Sequence, residues 1–286
     1  MKLSNVIGIL FQMIELTRLA LIPTLKDIYK NPYLIFHPFY VFFTNVWAIL
    51  GPAMDEHEKE MKRGLIDPHA RGVVLDLGAG HGHIIKYLDQ SKVTKYIALE
   101  PNICMHSKIR SEASSHGFTE SNGNFLLISC SASDISSVLF HLSTSIENEE
   151  KSRLHSASGI IIEDIRVDTI MTIRSACSFP SPEKTLSRLA KNVLKPGGEF
   201  LFVEHVLSER KDVAWWQRFW SPIWEAFAGC RLDRPTHLWI GGIKDLDGEG
   251  RTIDMWSASE GEAKRLAEDP EENLFGHRIG RFVKHL

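Results

Sequence analysis

Short apolar runs alternate with helix-length segments from residue 71 onwards. Between the runs, residues at the three-four spacing of one helical face predict helices over 83–90, 103–116 and 181–194. The runs themselves predict strands over 73–77, 95–100, 125–129, 167–173 and 199–203, with 253–256 and 279–283 as two closing strands. This alternation predicts an α/β fold with a doubly wound, mainly parallel, seven-stranded sheet that helices cover on both faces.

The chain before residue 65 follows a different pattern. Residues 1–22 place apolar side chains on one face of an amphipathic helix, 24–50 are rich in aromatic residues, and 53–64 form a charged, solvated helix. The predicted face of the first helix consists of Val6, Ile7, Leu10, Phe11 and Ile14. We therefore expect an N-terminal helical cover or lid over 1–64 and one α/β domain over 65–286.

Two segments qualify this organisation. Residues 135–158 are rich in serine and end near a charge run, which predicts a surface insertion between the third and fourth strands. The N-terminal apolar stretch is interrupted by Glu15 and Arg18 and is followed by no small-residue cleavage site. These features favour packed helices in a cytoplasmic protein, with peripheral membrane contact through the N-terminus as an open alternative.

Charge and cysteine usage exclude several classes of protein. The 33 basic and 36 acidic residues give a net charge of -3, which argues against nucleic-acid binding through bulk electrostatics. The 4 cysteines form no C-x-x-C pair, so reduced thiols are expected. The 13 histidines are scattered without the spacing of metal ligands, so the sequence predicts no metal site.

The first predicted strand runs directly into a glycine-rich turn, VVLDLGAGHG. Asp76 is followed by Gly78, Gly80 and Gly82, which permit positive φ angles and a close approach of the backbone to a ligand. A helix after the turn would add unpaired N–H groups and a positive dipole end. A dinucleotide fingerprint needs its third glycine one residue later, where His83 stands. The turn therefore predicts a nucleotide-type ligand that is not a dinucleotide.

Two acidic residues follow the next strands. Glu100 ends the second predicted strand, where a carboxylate can accept hydrogen bonds from both hydroxyl groups of a ribose. Asp134 lies just after the third strand, where it can accept from an exocyclic amine such as that of adenine. A solvated loop acid is an equally good interpretation of Asp134 alone.

From about residue 65 to about residue 240, the chain resembles the class I S-adenosylmethionine-dependent methyltransferases. The resemblance rests on VVLDLGAGHG, ALEPN, VDTIMTI and the LKPGG turn before EFLFVEH. Within the class, LKPGGEFLFVEHVLSER and WQRFWSPIWEAFAGCRLDR resemble the methyltransferase-like 7 (thiol methyltransferase) group and related fungal small-molecule methyltransferases. The resemblance implies a Rossmann-like fold and S-adenosyl-L-methionine as the cofactor.

The resemblance also implies roles for individual residues. Asp76 and Thr172 would lie at the methionine end of the cofactor, Glu100 would bind the ribose, and Ala132 and Asp134 would contact the adenine. The implied cofactor-binding residues are Asp76, Gly78, Gly80, Gly82, Glu100, Pro101, Asn102, Ala132, Asp134 and Thr172.

Methyl transfer from a sulfonium needs a general base only when the nucleophile carries a proton at neutral pH. His205, just after the fifth strand, is the predicted base, with a structural histidine as the alternative and His237 as a second candidate. Trp216 and Trp220 in the aromatic helix over 212–228 are expected to wall an apolar pocket together with 33–50.

These observations predict a methyltransferase that acts on a hydrophobic small molecule through a thiol, hydroxyl or amine acceptor. The alternative is an S-adenosylmethionine-binding protein of the same fold that transfers no methyl group, such as a regulatory partner subunit.

Overall fold

The computed structural model describes residues 3–153, 166–266 and 269–286. The helices are α1 Leu3–Lys30, α2 Pro38–His57, α3 Lys59–His69, α4 His106–Ser115, α5 Ile135–Arg153, α6 Pro182–Asn192, α7 Lys211–Ala228 and α8 Thr236–Gly241. The strands are β1 Gly72–Leu77, β2 Val93–Leu99, β3 Phe125–Ile128, β4 Val167–Ile173, β5 Leu194–His205, β6 Lys244–Leu246, β7 Thr252–Asp254, β8 Trp256–Arg265 and β9 His277–Lys284.

Within these residues, the central sheet has seven strands in the order β3-β2-β1-β4-β5-β9-β8. The first five strands in this order run parallel, and β9 lies antiparallel between β5 and β8. The strand order reverses between β1 and β4, and ligands of such sheets bind at the carboxyl ends of the strands beside this reversal. The mainly parallel, seven-stranded sheet predicted from the sequence is confirmed.

Both faces of the sheet are buried, because successive side chains of a strand point to opposite sides. Leu75 and Leu77 of β1 pack with α5, α6 and α8 on one face. Val74 of the same strand packs with Tyr96 and with α3 and α4 on the other face. The sheet is therefore doubly wound. The loops that follow its parallel strands emerge together at the carboxyl edge.

Two predictions next to the strands were wrong in detail. No α-helix covers 83–90. The backbone N–H groups of Ile85, Tyr87 and Leu88 each donate to the residue three positions earlier, which gives only a 3₁₀ turn at Ile85–Tyr87. The side chains of Ile84, Ile85 and Leu88 are nevertheless buried, as the pattern indicates. The turn expected at 195–198 lies within β5, where Gly197 has φ 70° and the pairing with β4 shifts register.

The serine-rich segment after β3 is largely helical rather than an irregular insertion. Residues Ile135–Arg153 form α5, and its Val138 and Leu142 belong to the hydrophobic core. β3 and β4 run parallel in the same sheet, with β2 and β1 between them, so the chain must cross back over the sheet, and α5 lies in this crossover. Residues 154–158 of the predicted insertion lie outside the described residues.

The closing strands are partly as expected. The run 279–283 lies in β9, whereas 253–256 covers β7 of a separate two-stranded sheet and only the first residue of β8.

The N-terminal cover consists of α1, a 3₁₀ turn at Pro32–Phe36, α2 and α3. Of the predicted apolar face of α1, Val6 is buried, whereas the side chains of Phe11 and Ile14 are 67% and 57% exposed. The helix instead buries Ile9, Leu16 and Ala20 against α2 and α7.

The prediction of a wholly solvated charged helix over 53–64 was wrong. Asp55, Glu58 and Lys62 are all buried, because they form an ionic network with the α/β domain.

Candidate active site

A cavity of about 420 Å³ lies beneath α2 at the carboxyl edge of the sheet. Its volume is in the range of small-molecule sites. Its floor and sides come from the loops after β1, β2, β3 and β4, and its roof comes from α2. The residues that carry the argument are Phe39, Tyr40, Phe43, Trp47, Gly78, Gly80, Glu100, Pro101, Asn102, Ala132, Arg174 and Ser175.

Two of the three glycines of the loop line this cavity. Gly78 has φ 72°, and a Cβ there would lie 2.6 Å from Cβ of Ser175. Gly80 has φ 58°, and a Cβ there would lie 2.8 Å from Nε1 of Trp47. Gly82 lies below the loop, where a Cβ would approach Cδ1 of Ile85 to 2.9 Å. Gly78 and Gly80 thus allow the backbone to pass close to Ser175 and Trp47 at the wall of the cavity, and Gly82 permits packing under the loop.

Glu100 fixes the shape of the site through two backbone hydrogen bonds. Its Oε2 accepts from the backbone N–H of Gly80 at 2.8 Å, and its Oε1 accepts from that of Asn102 at 2.8 Å. Burial raises the pKa of this carboxyl group, and the two backbone hydrogen bonds oppose the shift. A carboxylate has about four acceptor positions, so each oxygen keeps the capacity to accept a ribose hydroxyl.

Asp76 lies at the inner end of the site. It lines a smaller cavity of about 30 Å³ that shares Trp47, Gly78 and Arg174 with the main one. Burial raises its pKa to about 7; the hydrogen bond from the Tyr96 hydroxyl, at 2.7 Å, lowers the pKa, and the charge of Glu100 raises it further.

Asn102 connects the loop after β2 to the helical roof. Its Nδ2 donates to the backbone O of Tyr40 at 3.1 Å and to Oγ1 of Thr44 at 2.9 Å. Its Oδ1 accepts from the backbone N–H of Cys104 at 3.1 Å. Asn102 also lines the cavity beside Pro101. A shift of α2 would therefore move Asn102 and change the shape of the cavity wall on the side of β2.

Besides Gly82, two residues implied by the resemblance line neither of the two cavities. Asp134 is exposed and caps α5, where it accepts from the N–H and the hydroxyl of Ser137 at 3.1 and 2.7 Å. Thr172 is buried and donates to Oε1 of Glu204 at 2.6 Å, while its oxygen lies 2.8 Å from Oγ of Ser175. Thr172 therefore acts on the site only through Ser175, whereas Ala132 lines it directly.

Arg174, which the sequence analysis missed, lines both cavities. It has φ 60°, a conformation that side chains rarely adopt and that occurs often at functional sites. Its guanidinium group donates to Glu58, and its Nε has no hydrogen-bond partner among the described residues. Burial lowers its pKa to about 10, so the group remains a cation at neutral pH. No local motif marks such a residue in the sequence.

The pair between Arg174 and Glu58 belongs to a buried network at the inner end of the site. Lys62 lies 3.3 Å from Glu58 and 3.0 Å from Asp55, and Lys86 of the α/β domain lies 2.5 Å from Asp55. These ion pairs connect the N-terminal cover to the loop after β1.

The predicted bases lie away from the cavity lining. The imidazole of His205 is 4% exposed, and neither of its nitrogens has a hydrogen-bond partner among the described residues. Burial lowers the pKa of His205, but Cys177 and Glu204 outweigh burial and raise it. His237 is also buried, which lowers its pKa, and it does not line the cavity either.

The aromatic wall comes from one of the two predicted segments. Phe39, Tyr40, Phe43 and Trp47 of α2 line the cavity, as the aromatic run over 33–50 indicates. From the region of α7, only Ala228 and the following Gly229 contribute, so the pocket role predicted for its tryptophans does not match their positions. The rings of Trp216 and Trp220 instead make edge-to-face contacts along the helix, both with Phe219 and, for Trp216, also with Trp215.

The comparison with known protein families is decisive at this point. The family model described as a methyltransferase domain matches residues 56–239. The chain belongs to this family. The matched residues include the glycine loop, Glu100 and the end of β4.

Similar proteins cover shorter parts of the chain. Thiol S-methyltransferase TMT1B of Rattus norvegicus is 38% identical over 77 residues, or 26% of this chain and 31% of that protein. Thiol S-methyltransferase TMT1A of Homo sapiens is 36% identical over 75 residues, or 26% and 30%. The mitochondrial methyltransferase OMS1 of Saccharomyces cerevisiae is 26% identical over 148 residues, or 50% and 28%. The chain thus spans less than a third of the length of these relatives.

Among solved structures, an O-methyltransferase family protein from Burkholderia thailandensis superposes with a TM-score of 0.51 at 12% identity. The match covers 87% of this chain and 60% of that one, and it shows the shared fold alone.

Proposed function

We propose that this methyltransferase transfers a methyl group from S-adenosyl-L-methionine to the sulfur of a hydrophobic small-molecule thiol. The observation that carries the proposal is the single cavity in which the glycine loop and Glu100 face the aromatic residues of α2. One side of this cavity has the groups that a nucleoside needs, and the other side is apolar.

The residues present fit the cofactor. Gly78 and Gly80 give the close backbone approach, and Glu100 has acceptor capacity for the ribose hydroxyls. At the inner end, Asp76 and the unpartnered Nε of Arg174 are suited to the ammonium and carboxylate groups of the methionine part. When bound, the cofactor supplies a methyl group activated on a sulfonium.

The protein contributes position and the exclusion of water. Phe43 and Trp47 of α2 cover the cavity, so an apolar acceptor can be held with its nucleophile about 3 Å from the methyl carbon, in line with the leaving sulfur. Among the lining residues, the titratable groups are Tyr40, Glu100 and Arg174.

This set favours a thiol as the acceptor. A free thiol has a pKa of about 8.5, and a neighbouring cation stabilises the thiolate, which is the nucleophile. Arg174 provides such a cation at the wall of the cavity. The naming of two relatives as thiol S-methyltransferases supports the same acceptor.

Calorimetry and a panel of acceptors test this function. We expect S-adenosyl-L-methionine to bind, and an apolar thiol to gain the mass of one methyl group faster than a phenol or an amine of the same carbon skeleton. Absence of cofactor binding contradicts the assignment of the site. Binding with methylation only of the phenol or the amine contradicts the choice of sulfur.

We also propose that the enzyme lies peripherally on a membrane through α1. In the described part of the chain, Asn5–Lys30 is the one segment long and apolar enough, by length and composition, to cross a membrane, with a mean hydropathy of 1.6. Its outer face exposes large apolar side chains, and Trp215 and Phe219 of the neighbouring α7 are also exposed. The packing of its inner face against α2 and α7 favours an orientation in the plane of the interface.

Sedimentation with phospholipid vesicles tests this placement. The full chain should pellet with vesicles, and replacing Phe11 and Ile14 with Ser should release most of it into the supernatant. Equal pelleting of the two proteins would contradict the role of α1.

A further inference from the structure

A second group of reactive side chains lies behind the wall of the cavity. Cys177 belongs to the 3₁₀ turn Ala176–Ser178 after β4, His205 is the last residue of β5, and Cys230 follows the C-terminal end of α7. One ligand atom from each, a sulfur or a ring nitrogen, lies within 4.8 Å of the other two. The fold thus brings three metal-ligand side chains together from distant parts of the chain, which sequence spacing cannot reveal.

Within the described ranges, the ligand atoms of Cys177 and His205 have no close hydrogen-bond partner outside the cluster, whereas the Cys230 sulfur accepts from Nε1 of Trp224 at 3.2 Å. Cys177 and His205 are buried, and neither ring nitrogen of His205 has a hydrogen-bond partner among the described residues. Outside the cluster, the Cys177 sulfur makes only long contacts with the backbone O of Arg174, at 3.8 Å, and with Oγ of Ser178, at 3.9 Å. A buried imidazole without partners is unfavourable, and such a group in a folded protein calls for an explanation.

The surroundings act on the two thiols in opposite directions. The hydrogen bond between them raises the pKa of Cys177, as does burial, and it lowers the pKa of Cys230. Arg174 is attracted electrostatically to both sulfurs, and an arginine cation stabilises a thiolate, which is the metal-binding form. Two thiolates and one neutral imidazole offset the charge of a divalent ion, so the ion adds no net charge to the cluster.

We propose that Cys177, His205 and Cys230 bind one zinc ion. Zinc bonds of about 2.3 Å to sulfur and about 2.0–2.1 Å to nitrogen place tetrahedral ligands some 3.5–3.8 Å apart. Since the atoms lie within 4.8 Å of one another, each pair reaches that separation by approaching by about 1.3 Å at most. Binding forms two Zn–S bonds and one Zn–N bond, and it releases the two thiol protons to solvent.

Three protein ligands leave the fourth tetrahedral position to a water molecule. A second buried imidazole, His277, lies beside His205 with ring centroids 6.3 Å apart, and its Nε2 has no hydrogen-bond partner among the described residues. Its Nδ1 lies 3.1 Å from Oδ2 of Asp269.

The role that follows is to brace the substrate cavity. Ser178 and Gly229, which line the cavity, each stand next in the chain to a proposed ligand. A zinc ion would crosslink the segments that follow β4 and α7 to the end of β5. It would thereby fix the positions of Ser178 and Gly229 in the cavity wall.

Metal analysis of the full-length protein, purified without chelators, tests the proposal. We expect about one zinc per chain after dialysis against zinc and then against metal-free buffer. Cobalt substitution should give the visible absorption of tetrahedral cobalt together with sulfur-to-metal charge-transfer bands.

Matched cysteine variants locate the site. Cys177→Ser and Cys230→Ser should lose the zinc and the charge-transfer bands, whereas Cys104→Ser and Cys130→Ser should keep both. Wild-type protein without stoichiometric zinc, or a mapped disulfide between Cys177 and Cys230 in protein kept under reducing conditions, overturns the proposal. The wild-type measurement decides the question even if a variant fails to fold.

Discussion

At the scale of single residues, the site depends on carboxylates in unusual surroundings. Asp76, Gly78, Gly80 and Glu100 could be predicted, because an acid and spaced glycines after a buried strand have few other uses. Arg174 could not be predicted, since its positive φ and its pairing with Glu58 arise only when α2 and α3 dock on the sheet.

The dual role of Glu100 leads to a prediction about cofactor affinity. Glu100→Ala removes the acceptor for Gly80 and Asn102 as well as the proposed ribose acceptor, so the dissociation constant for S-adenosyl-L-methionine should rise at least ~10-fold. Calorimetry measures this change. The exposed Glu120→Ala is the control, and an equal affinity in both variants would refute the assignment of Glu100.

Asp134 offers a test between resemblance and geometry. Because its carboxylate caps α5 and does not line the cavity, Asp134→Ala should lower the melting temperature and leave cofactor affinity within about twofold. Thermal unfolding and calorimetry on the same sample give both values. A large loss of affinity without a loss of stability would instead support adenine contact.

The raised pKa of Asp76 predicts a dependence of stability on pH. In the folded protein the pKa is about 7, above the ordinary value of 3.8, so the folded state holds a proton that the unfolded state releases. The contribution of Asp76 to stability is therefore fully present below about pH 4 and is lost as the pH rises towards 7. Between pH 5 and pH 8, the melting temperature of the wild type should therefore fall relative to that of Asp76→Asn, which has no carboxyl group at this position. Parallel curves would show that Asp76 does not titrate in this way.

At the scale of secondary structure elements, the strands were predicted better than their connections. Buried parallel strands leave continuous apolar runs, as 167–173 shows by matching β4. The segment 83–90 has the same apolar positions as a helix but forms a 3₁₀ turn, and a serine-rich composition concealed α5. In both segments, packing against the rest of the fold determines the secondary structure more strongly than the local sequence pattern does.

The roles of α2 and α7 can be separated by mutation. Trp47→Ala removes an aromatic ring of the cavity roof, so kcat/KM for an apolar thiol should fall at least ~10-fold. Trp216→Ala on α7 removes a ring of the same kind away from the lining and should leave this value within about twofold in the absence of membranes. Loss of activity in the α7 variant alone would reverse the assignment of the wall.

At the scale of the whole molecule, the N-terminal cover is part of the enzyme rather than an appendage. The buried network of Asp55, Glu58 and Lys62 ties it to Lys86 and Arg174 of the α/β domain, and Asn102 ties α2 to the cofactor side. The sequence predicted a cover, but not this connection, because buried and solvated charged helices look alike in a single sequence.

The network predicts a large effect on stability from one charge. Glu58→Ala leaves Arg174 and Lys62 buried without this partner, which should cost about 3 kcal/mol of unfolding free energy. The exposed Glu60→Ala should change it by less than about 0.5 kcal/mol. Denaturant unfolding measures both, and equal values would mean that the cover does not depend on the network.

Methyl transfer from S-adenosyl-L-methionine with a labelled methyl group to an aromatic thiol, by wild type and by Gly80→Ala, tests the central claim most directly. In the variant, a Cβ at positive φ would stand 2.8 Å from Nε1 of Trp47, so this ring in the wall of the cavity would have to shift. We predict a labelled thioether from wild type and a rate at least ~100-fold lower from the folded variant, as expected when a key position in the site shifts by about 1 Å. Equal rates from the two proteins, or no labelled thioether from wild type that binds the cofactor, would contradict the account.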